Sequence, residues 1–268
     1  MRDIIKKNLL SFNNNELKFK MLREYLQTLV LKFIEQKGYS KNIAFVGGTA
    51  LRFLYNIGRF SEDLDFSLTF GGKFNFETFL NEVQKYFGEF SIQIETKPKK
   101  IRTVNSSFLK FSEILHENGL TQRKDQKLFI KMEVDLNPPA GFVTDISFIQ
   151  GIVPMNVIHY NISSLFAGKL HAILLRQYTK GRDFYDLMWF LGQNVVPNYT
   201  QLQNAVCQTT GQREKLNAVN LKERLKKRIG DVKWSDVVDE VGEFLVNRDE
   251  VRYLTADVFN QIIDKAIL

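Results

Sequence analysis

A glycine pair at the junction of two apolar segments constrains this chain more than any other feature. Gly47 and Gly48 follow a short strand-like run at residues 44–47 and precede a helical pattern at residues 49–57. Glycine lets the backbone approach a ligand closely, and the free N–H groups at a helix N-terminus bind phosphate. The pair therefore indicates either a phosphate-binding turn, to which Thr49 adds a hydroxyl, or a tight turn that needs only conformational freedom.

Two aspartates lie at the start of the next strand-like segment, residues 64–70. Residues i and i+2 of a strand share one face, with Cα atoms about 7 Å apart, so Asp63 and Asp65 point the same way if the strand begins there. Converging carboxylates repel each other unless a cation lies between them, and hard oxygen ligands suit Mg²⁺ or Mn²⁺. Alone, such a pair is also typical of a solvated strand edge; the upstream glycines favour the metal site.

A third carboxylate is available in the alternating segment at residues 127–137. Glu133 and Asp135 share the face opposite three apolar residues, Ile130, Met132 and Val134. Either acid is placed to complete a metal site, or the two form an exposed polar face together with Lys131.

The remaining pattern predicts an α+β half followed by a helical half. We expect an α/β domain at residues 1–160, N-terminal helix included, and a mainly helical domain at residues 161–268. Helices are predicted at residues 14–37 and 75–87, and strands at residues 90–97, 106–115 and 127–137.

Composition narrows the classes of partner and cofactor. The net charge of +7 favours a polyanionic partner, although an uncommitted basic surface is equally compatible with it. The single cysteine, Cys207, excludes an internal disulfide and a cysteine-based zinc site, and the three histidines lack metal-ligand spacing. We expect a cytoplasmic protein, because no segment has the roughly 18 apolar residues of a membrane span and no signal sequence is evident.

The helical half carries a second group of charged residues. Lys169 and Arg176 are seven residues apart on one helix face, and the apolar setting of Lys169 favours a functional role such as binding a triphosphate. The segment KGRDFYDL (180–187) then places Asp183 and Asp186 on one face of a new helix. These acids either complement the helix N-terminus and form salt bridges or belong to a functional set.

Taken together, four segments resemble the AbiEii/AbiGii nucleotidyltransferase toxin family of the DNA polymerase β-like nucleotidyltransferase superfamily. They are GGTALRFLY (47–55), RFSEDLDF (59–66), KLHAILLR (169–176) and KGRDFYDL (180–187). The resemblance covers roughly residues 40–190. It implies a mixed sheet with flanking helices, followed by a helical C-terminal domain that contributes Lys169 and the R-D-x-x-D-L motif to the cleft.

The resemblance also implies roles for individual residues. Glu133 ranks above Asp135 as the third carboxylate, Arg59 either contacts phosphate or holds the turn, and Asp183 is a possible charge partner of Lys169 or Arg182. The expected catalytic residues are Asp63, Asp65, Glu133, Lys169, Asp183 and Asp186, and the expected metal ligands are Asp63, Asp65 and Glu133, with Asp135 as the alternative. The expected nucleotide-binding residues are Gly47, Gly48, Thr49, Arg59, Ser61, Lys169, Arg176, Lys180 and Arg182.

The function implied is metal-dependent transfer of a nucleoside monophosphate from an NTP, in the toxin of a type IV toxin–antitoxin or abortive-infection system. The acceptor is RNA or protein. The charge and the basic runs at residues 97–102 and 221–228 favour RNA, and the resemblance implies tRNA 3′ ends as the expected acceptor, because some relatives extend them. A cognate antitoxin of the DNA-binding repressor type is the expected partner. The rival functions are a metal-dependent nuclease or phosphodiesterase and a non-catalytic RNA-binding module.

Overall fold

The computed structural model describes residues 2–268, which contain one eight-stranded mixed sheet and eleven α-helices. The strands are β1 (Ile43–Val46), β2 (Leu64–Leu68), β3 (Ile94–Glu95), β4 (Lys99–Ile101), β5 (Val104–Phe111), β6 (Leu128–Asp135), β7 (Thr144–Ile149) and β8 (Met155–Tyr160). The helices are α1 (Arg2–Leu9), α2 (Asn15–Gln36), α3 (Gly47–Tyr55), α4 (Phe76–Gly88), α5 (Ile114–Glu117), α6 (Ile162–Leu175), α7 (Gly181–Gly192), α8 (Tyr199–Thr210), α9 (Ala218–Gly230), α10 (Trp234–Gly242) and α11 (Ala256–Lys265). Short 3-10 helices lie at Tyr39–Lys41 and Arg248–Tyr253.

The order of strands in the sheet is β3-β5-β6-β2-β1-β8-β7. Strand β4 pairs with the first three residues of β5. Strand β2 lies between β1, to which it is antiparallel, and β6, to which it is parallel. Strands β5 and β6 form a long antiparallel pair over eight residues each. The segment that carries the aspartates is therefore a central strand, fixed by neighbours on both sides.

The chain divides into two compact units. The first contains residues 2–49, 61–137 and 146–158, and the second contains Ala50–Phe60, Pro138–Asp145 and His159–Leu268. The longest segment of the second unit, His159–Leu268, begins with the last two residues of β8 and is mainly helical from Ile162 onward. The short segments 50–60 and 138–145 also belong to the second unit, which a contiguous division at residue 160 does not include.

In the first unit, α2 and α4 cover one face of the sheet. Asn14 caps α2 by accepting a hydrogen bond from the Glu16 N–H, as expected for an asparagine before a helix. Phe33 of α2 and Phe79 of α4 are fully buried and meet edge to face with ring centroids 5.5 Å apart. Alternate residues of β6 pack beneath these helices, namely Ile130, Met132 and Val134, all 0% exposed. Each such side chain stabilises the fold by about 1.5–3 kcal/mol, and the alternation leaves the polar residues of β6 on the other face.

The second unit is a helical assembly around α6 and α7. Phe166 and Phe190 stack with centroids 4.4 Å apart, and both are fully buried. Helix α7 begins at Gly181, where an added Cβ would lie 2.6 Å from the Val237 carbonyl oxygen of α10. Glycine is therefore required for the close approach of these two helices, and the Gly181 N–H donates to Glu240 Oε2 at 2.6 Å.

Residues 58–60 of the second unit pair with a segment far along the chain. Arg59 forms an antiparallel bridge with Leu245, the Phe60 N–H donates to the Phe244 carbonyl, and the Val246 N–H donates to the Gly58 carbonyl. This backbone pairing fixes the connection that follows α3.

Most predicted elements are confirmed, with three differences. The strand expected at residues 90–97 pairs only at Ile94–Glu95. The strand expected at residues 106–115 ends at Phe111, and Ile114 begins the short helix α5. Helix α1 and strands β4, β7 and β8 were not predicted. Among residues 2–268, no helix is long and apolar enough to cross a membrane.

Candidate active site

The turn between β1 and α3 brings the backbone against a carboxylate. Gly47 has φ +79°, a conformation that L side chains rarely adopt. An added Cβ would overlap Asp65 Oδ2 and would lie 2.9 Å from Asp65 Cβ. Position 47 therefore requires glycine for two reasons, its dihedral angle and the Asp65 carboxylate packed against it.

Asp63 and Asp65 lie at the start of β2 and are both half-buried. The Thr49 hydroxyl donates to the Asp63 carbonyl oxygen, and Thr49 is 1% exposed. This contact fixes the beginning of α3 to the beginning of β2. The structure thus gives the Thr49 hydroxyl a structural partner, whereas the sequence suggested a phosphate contact.

The register of β2 with β6 separates the two candidates for a third carboxylate. Asp65 pairs with Glu133, and Asp135 pairs with Ser67, two residue pairs further from Asp63. Adjacent strands are about 4.8 Å apart, so paired residues on one face are close neighbours. Asp135 also accepts a hydrogen bond from the Asn137 N–H at 2.9 Å. The geometry therefore places Glu133 nearer to the aspartate pair than Asp135.

Lys131 is the cation of this carboxylate face. Its Nζ lies 2.8 Å from Glu133 Oε1. Burial would lower the pKa of Lys131, but the hydrogen bond to Glu133 and the charges of Glu133, Asp63 and Asp65 together raise it. The lysine therefore stays charged and offsets part of the repulsion among the three acids.

The donor set fits a divalent cation in part. Asp63 and Asp65 supply oxygen ligands of the kind that Mg²⁺ and Mn²⁺ prefer, beside a turn that only glycine can form. Glu133 is engaged by Lys131. Across residues 2–268, no three carboxylate, histidine or cysteine side chains are already grouped as metal ligands.

A second charged cluster lies in the helical unit and joins Arg59 to both acids of α7. Arg59 Nε and Nη2 donate to the two oxygens of Asp186 at 2.6 and 2.7 Å. Lys169 Nζ lies 2.9 Å from Asp183 Oδ1 and 2.7 Å from Asp186 Oδ2. Arg176 Nη1 pairs with Asp183 Oδ2. Three cations thus share two carboxylates.

Helical geometry explains how this cluster forms. Asp183 and Asp186 are three residues apart on α7 and therefore share one face. Lys169 and Arg176 are two turns apart around α6 and its C-cap, so both reach the same helix face. Asn161 begins α6 by accepting a hydrogen bond from the Ser164 N–H at 2.9 Å.

The cluster is buried, and its opposite charges lie within contact distance of one another. Arg59 is 1% exposed and the Asp186 side chain is 0% exposed. Burial alone would raise the pKa of Asp183, but Lys169 and Arg176 outweigh it and lower that pKa. Burial would likewise lower the pKa of Lys169, and the charges of Asp183 and Asp186 raise it instead. The charged form of the Asp183 carboxylate is therefore stabilised by Lys169 and Arg176.

Among the other predicted nucleotide-binding residues, Arg182 and Ser61 contact other parts of the protein. Arg182 stacks over the Phe244 ring at 4.1 Å, and its Nε lies 3.7 Å from Glu240. Lys180 precedes α7, and burial together with the Arg182 charge lowers its pKa. Ser61 is buried, and its carbonyl accepts a hydrogen bond from Gln27 Nε2 at 3.2 Å.

The predicted residues thus fall into two groups, one in each unit. The first unit contains Gly47, Gly48, Thr49, Ser61, Asp63, Asp65 and Glu133, and the second contains Arg59, Lys169, Arg176, Lys180, Arg182, Asp183 and Asp186. A cleft shared by both groups stays a prediction. Of the two roles considered for Arg59, the structure gives it a structural one, because its guanidinium is committed to Asp186.

Two charged residues were missed as members of these groups. Lys131 was seen only as part of an exposed face, although its i−2 spacing from Glu133 already placed both on that face. Glu240 receives the Gly181 N–H and lies near Arg182, and no local pattern in the sequence signals this contact.

Comparison with known proteins identifies the family of this chain. The profile of the family described as nucleotidyl transferase AbiEii toxin, type IV TA system, matches residues 29–257. The match corrects the extent expected from the sequence, because it includes the last third of α2 and nearly all of the helical half. None of the curated proteins compared matches the sequence.

Two solved structures share the fold. One is JHP933 from Helicobacter pylori, with a TM-score of 0.52, 19% identity, and coverage of 92% of this chain and 94% of that one. The other is described provisionally as a nucleotidyltransferase from H. pylori, with a TM-score of 0.53, 18% identity, and coverage of 91% and 96%. At these identities the likeness concerns the fold, a mixed sheet with flanking helices and a helical C-terminal part. Since the family profile spans most of the sequence, the chain belongs to the AbiEii nucleotidyl transferase toxin family of type IV toxin–antitoxin systems.

Proposed function

We propose that this nucleotidyltransferase transfers a nucleoside monophosphate from an NTP to the 3′ end of an RNA, with tRNA as the expected acceptor. Family membership supports the transferase chemistry and the toxin role. The observation that carries the assignment to this site is the Asp63–Asp65 pair at the start of a central strand, with Asp65 packed against Gly47. The net charge of +7 supports a polyanionic acceptor.

The turn residues bind the triphosphate in this proposal. Gly47 and Gly48 open α3, where N–H groups without helical partners face an incoming phosphate. The absence of a side chain at position 47 lets the phosphate approach the backbone beside Asp65. The Thr49 hydroxyl holds Asp63 in place through its carbonyl rather than binding the nucleotide.

Asp63 and Asp65 would hold a divalent cation, Mg²⁺ or Mn²⁺, with Glu133 as the third ligand or as the proton acceptor. When bound, such a cation neutralises charge on the triphosphate and lowers the pKa of the acceptor hydroxyl. The hydroxyl oxygen attacks the α-phosphorus, the bond to the β-phosphate oxygen breaks, and pyrophosphate leaves. The hydroxyl proton passes to Glu133 or to water. The ion pair with Lys131 would hold the Glu133 side chain in position until substrate binds.

We also propose that the helical unit supplies Lys169 to the nucleotide phosphates. Its side chain is 15% exposed, more than either carboxylate that it contacts. Arg59 and Arg176 remain with the acids and hold them in position. The protein would act in the cytoplasm, countered by a cognate antitoxin of the DNA-binding repressor type.

The test is transfer of label. The protein is incubated with Mg²⁺, each α-labelled NTP in turn and total RNA, and the products are separated before and after RNase treatment. Label on RNA supports the proposal. Label that remains on protein after RNase treatment would indicate a protein acceptor, and shortened RNA would indicate a nuclease. RNA that is retained but unchanged would indicate a binding module.

Carboxylate variants connect the activity to the site. Asp63→Asn and Asp65→Asn should each reduce transfer by at least 100-fold, roughly the loss of about 3 kcal/mol of transition-state stabilisation. Thermal stability should hold or rise, because removal of a negative charge relieves repulsion. Glu133→Gln should reduce transfer far more than its matched control, Asp135→Asn. Wild-type transfer by the Asp63→Asn/Asp65→Asn double variant would refute the metal assignment.

A further inference from the structure

A basic pocket lies beside the carboxylates on the open face of the sheet, which is the face opposite α2 and α4. It lies over β4, β5 and β6 in the first unit and has a volume of about 360 Å³. Four lysines line it, together with Ser106 and Phe108; the lysines are Lys97, Lys99, Lys110 and Lys131. Only the first two of these lysines belong to the basic run seen in the sequence, and strand pairing brings the other two to the same place.

Most of the positive charge in this pocket is uncompensated. Among residues 2–268, Lys97, Lys99 and Lys110 form no ion pair. Lys131 is paired with Glu133, and Glu95, which is opposite Lys110 in register, pairs with Lys127 instead. Three of the lysines are therefore available to pair with an anionic ligand.

Two phenylalanines are exposed on the same face. Phe108 is 48% exposed and Phe129 is 46% exposed, whereas their strand neighbours Leu109 and Ile130 are fully buried. The two rings meet edge to face with centroids 6.2 Å apart, and Lys110 Nζ lies 6.0 Å from the centre of the Phe129 ring. Exposed aromatic rings interleaved with lysines are typical of surfaces that bind single-stranded nucleic acid, where bases stack and phosphates pair.

Strand register connects this pocket to the reacting centre. Phe108 pairs with Lys131, Ser106 pairs with Glu133, and Glu133 pairs with Asp65. Strand β5 is therefore two strand spacings, about 10 Å, from the strand that bears the aspartates. A short unpaired strand bound in the pocket reaches that centre along the open face.

We propose that this basic aromatic pocket binds the unpaired 3′-terminal strand of the acceptor RNA, with bases stacked on Phe108 and Phe129 and phosphates held by the lysines. The inference rests on the proposed function, since it assigns a place to the acceptor. Stacking on phenylalanine and contact with lysine read no base edges, so the pocket accepts many sequences and leaves selection of the RNA to other contacts.

The first experiment measures binding without catalysis. A fluorescent single-stranded RNA oligonucleotide is titrated with the wild type, with Phe108→Leu, and with a triple variant in which Lys97, Lys99 and Lys110 become Gln. Phe108→Leu keeps apolar bulk but removes the ring, and should weaken binding about 5- to 140-fold. The triple variant should reduce the slope of log affinity against log salt by about 2, at roughly 0.7 per phosphate contact.

A matched control removes equal charge elsewhere. Lys6, Lys7 and Lys37 are exposed and lie outside the pocket, and their triple Gln variant should keep most of the affinity and of the salt slope. All variants alter half-buried or exposed side chains, so their melting temperatures should match the wild type. Oligonucleotide binding that is absent in the wild type, unchanged in the pocket variants, or equally reduced in the control would overturn the proposal.

Kinetics then separate this inference from the proposed function. The pocket variants should raise KM for RNA while KM for NTP and kcat stay within about twofold. A rise in KM for NTP instead would make the pocket a triphosphate site and refute the acceptor assignment. Transfer to RNA by the wild type with unaltered KM in the pocket variants would refute the pocket alone. Label transferred by the wild type only to protein would refute the RNA acceptor and, with it, the pocket.

Discussion

Replacing Asp186 by asparagine should unfold the helical unit at much lower denaturant concentration. The change removes the charge partner of Arg59, which is 1% exposed, and one of the two carboxylates that hold Lys169. Three charge-assisted contacts at 2.6–2.7 Å are affected. Breaking a buried ion pair from one side costs about 3–5 kcal/mol, because the remaining charge stays buried without compensation. For a unit of this size the melting temperature should fall by about 11–18 °C.

The assay measures tryptophan fluorescence, because both tryptophans lie in the helical unit. The chain has two, Trp189 in α7 and Trp234 in α10, so intrinsic fluorescence during urea unfolding reports on the helical unit. The matched control is Asp264→Asn, which removes an exposed partner of Lys226 in the same unit and should change stability by no more than about 0.5 kcal/mol.

A double variant tests the reasoning further. Arg59→Met with Asp186→Leu removes both charges and should recover most of the stability lost in Asp186→Asn, because apolar residues of similar volume can replace a buried ion pair. Lys169 keeps Asp183 as its partner in this variant. A loss below about 1 kcal/mol in Asp186→Asn, or a double variant as unstable as the single one, would refute the account of this cluster.

Three further changes have specific expected outcomes. Gly47→Ala should lower both nucleotide transfer and thermal stability, because it strains the backbone and displaces the Asp65 carboxylate; a fully active, equally stable variant would contradict this account of the turn. Lys169→Ala should raise KM for NTP more than Arg176→Ala, and comparable effects in steady-state assays would give Lys169 a structural role only. The pKa of Asp183 is lowered in the folded state, so its contribution to stability is complete above its ordinary pKa of 3.8 and is lost as pH falls through the lower folded-state value. Asp183→Asn should therefore flatten the acid side of the curve of stability against pH, and an unchanged curve would count against the ion pairs seen here.

Local sequence patterns were sufficient to predict the helices and strands whose hydrophobic periodicity is clear. The alternation in β6 predicted which residues are buried, and the glycine pair predicted where α3 begins. Strand β7 was missed because it is an edge strand with mostly exposed residues, Ile146 and Phe148 among them, so its composition shows no buried face. The strand predicted at residues 90–97 is short because only two of its residues find partners on β5.

The residues of the candidate site could be predicted from the sequence, but the contacts between them could not. The sequence singled out Arg59 and Asp186, yet these residues are 127 positions apart, and nothing local indicates that one binds the other. The apolar surroundings of Lys169 suggested a functional cation, and the structure adds the two carboxylates that compensate its burial. The sequence indicated only part of the basic aromatic pocket, namely the basic run that contains Lys97 and Lys99. Lys110 and Phe108 are brought beside that run by strand pairing.

The pairing of residues 58–60 with residues 244–246 sets an order of events during synthesis. Arg59 leaves the ribosome long before Asp186, and at about 5–20 residues per second the interval is roughly 6–25 s. Until then its guanidinium has no carboxylate to bind, and the Phe60 N–H still lacks the Phe244 carbonyl. A nascent chain truncated before residue 244 cannot complete this unit. The helical unit therefore assembles only after residue 246 has left the ribosome, which leaves an interval in which the newly made protein is not yet fully folded.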